Sequence, residues 1–144
     1  MATDRGLQND AVALPALPEE LANALTHGIG LALSVLAAGA VLNAVGHSGD
    51  VWQLLSGSIY VTTLVAVYAA STLSHSFQRP ALRHLFRRLD LAVIYLFIAG
   101  SYTPFALGYL RFGAWWVLLA AVWGIALVGF LSKVLLGHRI ETVS

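Results

Sequence analysis

Residues 89–110, "LDLAVIYLFIAGSYTPFALGYL", decide how the rest of the chain is read. Asp90 is the one formally charged residue in the stretch, and no charged stripe runs its length. A membrane helix needs about 20 predominantly apolar residues to cross the hydrocarbon, and this stretch supplies them without interruption. Three more stretches share its character, at 21–45, 52–76 and 113–136. The breaks between the four are distinct. "GHSGD" at 46–50 carries glycine and aspartate, "FQRPALRHLFRR" at 77–88 is strongly basic, and "RFG" at 111–113 is a tight connection.

The whole composition agrees. Of 144 residues, 58% are hydrophobic and 10% charged, against the ~25% charged residues usual in soluble domains. Mean hydropathy is +0.77, so lipid is the expected solvent for most of the chain. There is no cysteine, which excludes disulfides and thiolate metal sites. The expected fold is all-α: a polytopic helical membrane protein with four transmembrane helices in one domain, 21–136. Residues 1–20 hold Asp4, Arg5, Asp10, Glu19 and Glu20 with Pro15 and Pro18. They lack the basic start, apolar core and cleavage site of a secretory signal, and are expected to form a mobile soluble tail. A short tail at 137–144 is expected to follow the last span.

Charge placement orients the spans. Arg5, Arg79, Arg83, Arg87, Arg88, Lys133 and Arg139 fall on one side, and Arg111 alone on the other. The positive-inside rule therefore places both termini in the cytoplasm. Trp52, Trp115 and Trp116 fall at the opposite ends of their helices, where an aromatic belt belongs.

Polar residues inside hydrocarbon need a partner or a task. Asn23, His27, Gly30 and Ser34 recur at i, i+4, i+7 and i+11, one helical stripe. Gly30, Ser34 and Ala38 are small residues four apart that favour close helix approach. His27 thus fits a hydrogen-bonded histidine in a packing seam as well as it fits a site. Tyr68, Ser71 and His75 share a face at the end of the second span, where a histidine can also rest in the headgroup region. Asp90 opens the third span, where a carboxylate can cap a first helical turn. Pro104, beyond Ser101 and Thr103, is expected to kink or end that helix. Convergence favours a site. His27 lies ~9 Å into its span at about 1.5 Å per residue, so His27, Ser71, His75 and Asp90 all approach the cytoplasmic face.

In the basic segment, Arg79, Arg83, Arg87 and Arg88 interleave with Leu82, Leu85, Phe86 and Leu89. This suits a short helix lying on the membrane surface against anionic headgroups. Lys133 reads as a snorkelling residue. Since the positive-inside pattern accounts for these charges, no nucleic-acid partner is expected.

"PEELANALTHGIG" (18–30), "ASTLSHSF" (70–77) and "FRRLDLAVIYLFIAGSYTPF" (86–105) resemble the hemolysin III proteins. These are the bacterial branch of the progestin and adipoQ receptor family, which includes the adiponectin receptors. The resemblance runs from Pro18 to about Lys133. It implies a seven-helix bundle in the bacterial inner membrane, with a cytoplasmic amino terminus and a zinc ion near the cytoplasmic face. It also implies His75 as a zinc ligand, with Ser71 one turn before it and Asp90 handling the attacking water as catalytic residues. Glu20, Asn23 and His27 match the family's first-helix motif. Zinc with three protein ligands lowers the pKa of bound water to about 7, chemistry suited to hydrolysis of a ceramide-like amide.

The family's other two zinc histidines come from an H-x-x-x-H in its seventh helix. Here the histidines are His27, His47, His75, His84 and His138, and no two are four apart. "LDLAVIY" also lacks the polar pair that relatives carry after the aspartate. The expectation is a partial zinc site in a chain truncated after the fourth helix. Three functions follow from these readings: a zinc-dependent lipid amide hydrolase or sensor, a pore-forming cytolysin, or a noncatalytic membrane protein of lipid homeostasis. Membrane lipids are the expected partners, and self-association is expected if faces that pack on further helices stand open. G-x-x-x-x-G-K-[ST], H-E-x-x-H and G-x-S-x-G are all absent.

Overall fold

The computed structural model describes residues 17–110 and 112–140, without the side chains of Leu17 and of 137–140. Its elements are α1 (Leu17–His47), α2 (Val51–Ser76), α3 (Pro80–Gly108) and α4 (Trp115–Ile140), with no strand among the described residues. All four helices contain windows long and apolar enough to cross a membrane. The chain is an all-α integral membrane protein.

Short connections make neighbouring helices antiparallel. At 48–50, Gly49 takes φ +70, and the Asp50 carboxylate accepts the Trp52 backbone N–H at 2.8 Å to cap α2. Gly113, at φ +69, turns the chain into α4. Trp52 and Trp116 meet edge to face at 6.2 Å there, and Trp115 packs on Trp116. The three tryptophans gather at the end of the bundle opposite the basic segment.

The basic segment differs from expectation. Instead of forming a separate surface helix, residues 80–88 are the first turns of α3, and the connection shrinks to 77–79. Pro80 opens the helix, where its missing N–H costs nothing, and Arg79 before it is extended (φ −69, ψ 121). No glycine or proline interrupts the chain from 81 to 99. Pro104 does not end the helix either, since α3 continues to Gly108. Thr103, almost wholly buried, donates to the Ala99 carbonyl at 2.7 Å and accepts from Trp123 Nε1 of α4 at 3.1 Å. Helix also extends beyond both tail boundaries: 17–20 belong to α1 and 137–140 to α4, while 1–16 and 141–144 lie outside the described residues.

The helices pack in a row, α1 on α2, α2 on α3 and α3 on α4. On α1 the covered positions include Glu20, His27, Ser34 and Val41, seven apart, with Ala24, Leu31, Ala38 and Val45 four residues after each and Gly28 and Gly30 beside them. This 3–4 alternation is the seam of a left-handed helix pair. Asn23 lies about 60° off that seam at 100° per residue and is exposed. The most apolar windows of α1 and α4 are each only 6% buried, leaving Leu25, Ile29, Leu33, Val117 and Ile125 bare. Such a surface is stable against lipid tails, not water.

Glycines set the closest approaches. A Cβ on Gly100 of α3 would come within 2.9 Å of Thr63 Cγ2 on α2, whereas one on Gly39 of α1 would meet nothing within 4 Å. Gly100→Val is therefore expected to destabilise the protein in detergent by about 1–3 kcal/mol through overpacking. Gly39→Val is expected to stay within about 0.5 kcal/mol. Equal thermal unfolding midpoints would remove the argument for tight α2–α3 contact.

Candidate functional site

The end of the bundle that carries the basic segment gathers polar side chains from three helices. Glu20 lies one turn into α1, His75 at the close of α2, and Arg83 one turn into α3. His75 Nδ1–H donates to Glu20 Oε2 at 2.8 Å, and Arg83 donates to Glu20 Oε1. One carboxylate therefore holds two donors from two helices, one on each oxygen. The His75 and Glu20 side chains keep 20% and 12% of their accessibility, so the bonds form largely away from water. His27 stacks on His75, with ring centroids 5.6 Å apart and planes within 6°, and Tyr68 tilts against His27 at 6.5 Å. Gly30 makes room for the Tyr68 ring, which occupies the space a Cβ would need.

A second group lies on the other side of α2. Ser71 and Ser74 are both buried. Ser74 Oγ donates to the Ser71 carbonyl at 2.8 Å, and its approach to Asp90 Oδ2 is long, at 3.4 Å. Since a hydroxyl has one proton, the shorter bond takes most of it. Asp90 does not cap α3. The helix starts at Pro80, ten residues earlier, which places the carboxylate almost three turns in, where it needs a task or a partner.

The four predicted residues thus form two adjacent groups. His27 and His75 meet on the α1–α2 side with Glu20 and Arg83, whereas Ser71 and Asp90 line the α2–α3 side around Ser74. Asn23 joins neither; it is exposed, and its carbonyl accepts from Thr26 Oγ1. The Arg83 and Ser74 contributions escape a reading of the sequence alone. Arg83 is hidden by its place in a basic run, although Pro80 at a helix start puts it one turn in. Ser74 is hidden among neighbouring hydroxyls, although it follows Ser71 by three residues on the same face.

A metal fits this arrangement poorly. Among the described residues no three His, Cys, Asp or Glu side chains are grouped to hold one. Glu20 occupies Nδ1 of His75 and leaves Nε2 as its open donor, the usual state of a histidine held between a carboxylate and a metal. The His27 and His75 rings lie nearly parallel with centroids 5.6 Å apart, but no third His, Cys, Asp or Glu side chain joins them in a metal-holding group among the described residues. One oriented histidine falls short of the three protein ligands of a catalytic zinc, and no step is assigned to a metal.

The shared carboxylate predicts energetic coupling. Glu20→Gln and Arg83→Gln are each expected to lower stability in detergent. The double variant should lose less than the sum by about 1 kcal/mol, the coupling of a partly buried ion pair. Strict additivity in unfolding titrations would show that the pair contributes nothing.

Residues 16–143 match the haemolysin-III related family model. The chain is 36% identical over 128 residues to the hemolysin-3 homolog of Bacillus subtilis, covering 89% of this chain and 60% of that protein. With hemolysin-3 of Bacillus cereus it shares 40% identity over 121 residues, 84% of this chain and 55% of the relative. The human monocyte to macrophage differentiation factor matches over 95 residues at 36% identity, 62% of this chain and 39% of the relative. The chain thus spans somewhat more than half the length of the two Bacillus proteins. No solved structure matches it significantly. A family match over nearly the whole chain, and four membrane-spanning helices that carry its motifs, make this protein a member of the haemolysin-III family of integral membrane proteins.

Proposed function

We propose that this chain acts on membrane lipids, through a polar site at the basic end of the bundle, in lipid homeostasis. The observation that supports this is the meeting of Glu20, His75 and Arg83 from three helices, beside a half-buried Asp90 next to buried Ser71 and Ser74. Ionisable groups inside transmembrane helices are costly and commonly mark function. In this reading Asp90 is the acid–base or water-orienting group, Ser71 a neighbouring polar contact, and His75 one contributor to a partial zinc site of hydrolase or sensor type. A complete zinc site needs donors that the described residues lack. An amide lipid such as a ceramide is the substrate class that this chemistry suits. In this reading the protein resides in the bacterial inner membrane with both termini cytoplasmic, an orientation that the arginine distribution supports.

Lipid profiles of cells expressing the chain test the reading. Wild type is expected to change the amount of amide-linked lipids or their released acyl chains at least about twofold, and Asp90→Asn and His75→Ala to abolish the change at equal membrane abundance. Identical profiles for all three would overturn it. Zinc measured on the purified chain is expected well below one per chain and lower still in His75→Ala, following from the single oriented donor. A full equivalent that survives the substitution would place the metal elsewhere. Topology is tested by a carboxy-terminal phosphatase fusion, which should be inactive if the terminus is cytoplasmic.

A cytolytic reading draws support from the names of the two Bacillus relatives. It requires the purified chain to release dye from liposomes where a scrambled-sequence control does not.

A further inference from the structure

On the side of α3 that faces away from the Asp90 group, the seam with α4 carries cations and, among the described residues, no anion. Covered positions on α3 run Arg88, Ala92, Tyr95, Ala99, Tyr102 and Ala106, spaced four and three apart. On α4 the matching series ends at Gly129 and Lys133. Register between the two comes from Tyr95, whose ring fills the space where Gly129 would carry a Cβ. Arg88 lies two turns from Tyr95 toward the basic end, and Lys133 one turn from Gly129 in the same direction. With helix axes 8–10 Å apart, the two Cα atoms are separated by roughly 10 Å, a gap their side chains span together.

Among the described residues neither cation forms an ion pair. Arg88 is half-buried, and its Nε is buried without a hydrogen-bond partner among the described residues. Four carboxylates are described, and none serves. Glu20 is held by His75 and Arg83, Glu19 is exposed on α1, and Asp50 caps α2 at the far end. Asp90, two residues from Arg88, points about 160° away at helical spacing and meets Ser74 of α2. A guanidinium N–H left unpaired in low dielectric is costly, and a second cation nearby raises that cost.

We propose that Arg88 and Lys133 bind the phosphate group of an anionic phospholipid in the α3–α4 seam. The planar guanidinium offers paired N–H donors that match phosphate oxygens, and the lysine ammonium adds a point charge. The two cations lie toward the basic end of the bundle, and basic pockets between transmembrane helices on that side are known to take lipid head groups. The apolar lips of the seam identify the phosphate as a lipid's and not a free ion's. Leu91 and Ile94 on α3, with Leu131 and Leu135 on α4, are exposed beside the two cations where acyl chains would run. This site shares no residue with the proposed lipid-processing site, so the two stand or fall separately.

Native mass spectrometry of the purified chain, titrated with phosphatidylglycerol or phosphatidylcholine, tests the proposal. One phosphatidylglycerol per chain is expected to survive detergent exchange, and phosphatidylcholine is expected to wash away. Arg88→Gln and Lys133→Gln should each weaken phosphatidylglycerol binding about tenfold, the effect of losing one charge-assisted bond. Arg87→Gln, which removes the same charge from an exposed position, should change it less than about twofold. Circular dichroism and monodisperse elution select variants that remain folded, and Arg88→Lys should recover part of the binding. Equal losses in the Arg87 and Arg88 variants would overturn the site in favour of diffuse attraction. Displacement of the lipid by millimolar inorganic phosphate would overturn the lipid assignment.

Discussion

The Glu20 carboxylate is the contact on which the basic end of the bundle depends. α1 packs on α2 alone along its length. Through Glu20 it also reaches Arg83 of α3, so a single residue ties the first three helices together. Both oxygens are engaged, and the negative charge is matched by a permanent guanidinium. That pairing keeps a carboxylate tolerable so near the hydrocarbon, where an unpaired one would be expelled or protonated. The same bond fixes the tautomer of His75, because a carboxylate can only accept and Nδ1 must therefore carry the proton. Structure and chemistry thus meet in one group. The interaction that anchors α1 also decides which nitrogen of His75 is available.

The hydrophobic spans were legible in the sequence because their signal is summed over about 20 residues, and lipid imposes it without regard to detail. Where each helix begins depends instead on a few local residues. Pro80 illustrates this, since a basic run looks like a surface segment until its proline is taken as a first helical position. Once the start moves to Pro80, Asp90 changes from a capping residue into a charge almost three turns deep. Facing directions were harder still. His27 has polar or small neighbours both at Asn23 and at Ala24, and periodicity alone cannot say which lies toward α2. The structure places the seam on Glu20, Ala24 and Leu31 and leaves Asn23 outside.

The candidate site was legible as a depth and not as a geometry. His27, Ser71, His75 and Asp90 do lie toward one end, but α2 separates them, with His75 turned to α1 and Ser74 turned to Asp90. Motif spacing along a helix reports height more reliably than azimuth, because one residue moves a side chain about 100° around the axis and only about 1.5 Å along it. Side-chain partners that come from different helices leave no periodic trace, which is why the roles of Arg83 and Ser74 emerge only in three dimensions.

Charge balance around α3 follows from the same azimuthal logic. Arg83 answers Glu20 on the α1 side, and Asp90 stands on the α2 side beside hydroxyls. Arg88 emerges on the α4 side, where Lys133 is also found and no described carboxylate faces it. A helix start carrying four arginines satisfies the positive-inside rule wherever they point, so that rule cannot explain why one of them enters a seam. A residue placed there for topology alone would gain by turning outward, since water and headgroups are a short distance away and its stem is long enough to snorkel. Arg88 instead buries its Nε. An unpaired guanidinium N–H held near a second cation is favoured when an anion lies within reach of both. The bilayer is the nearest source of one.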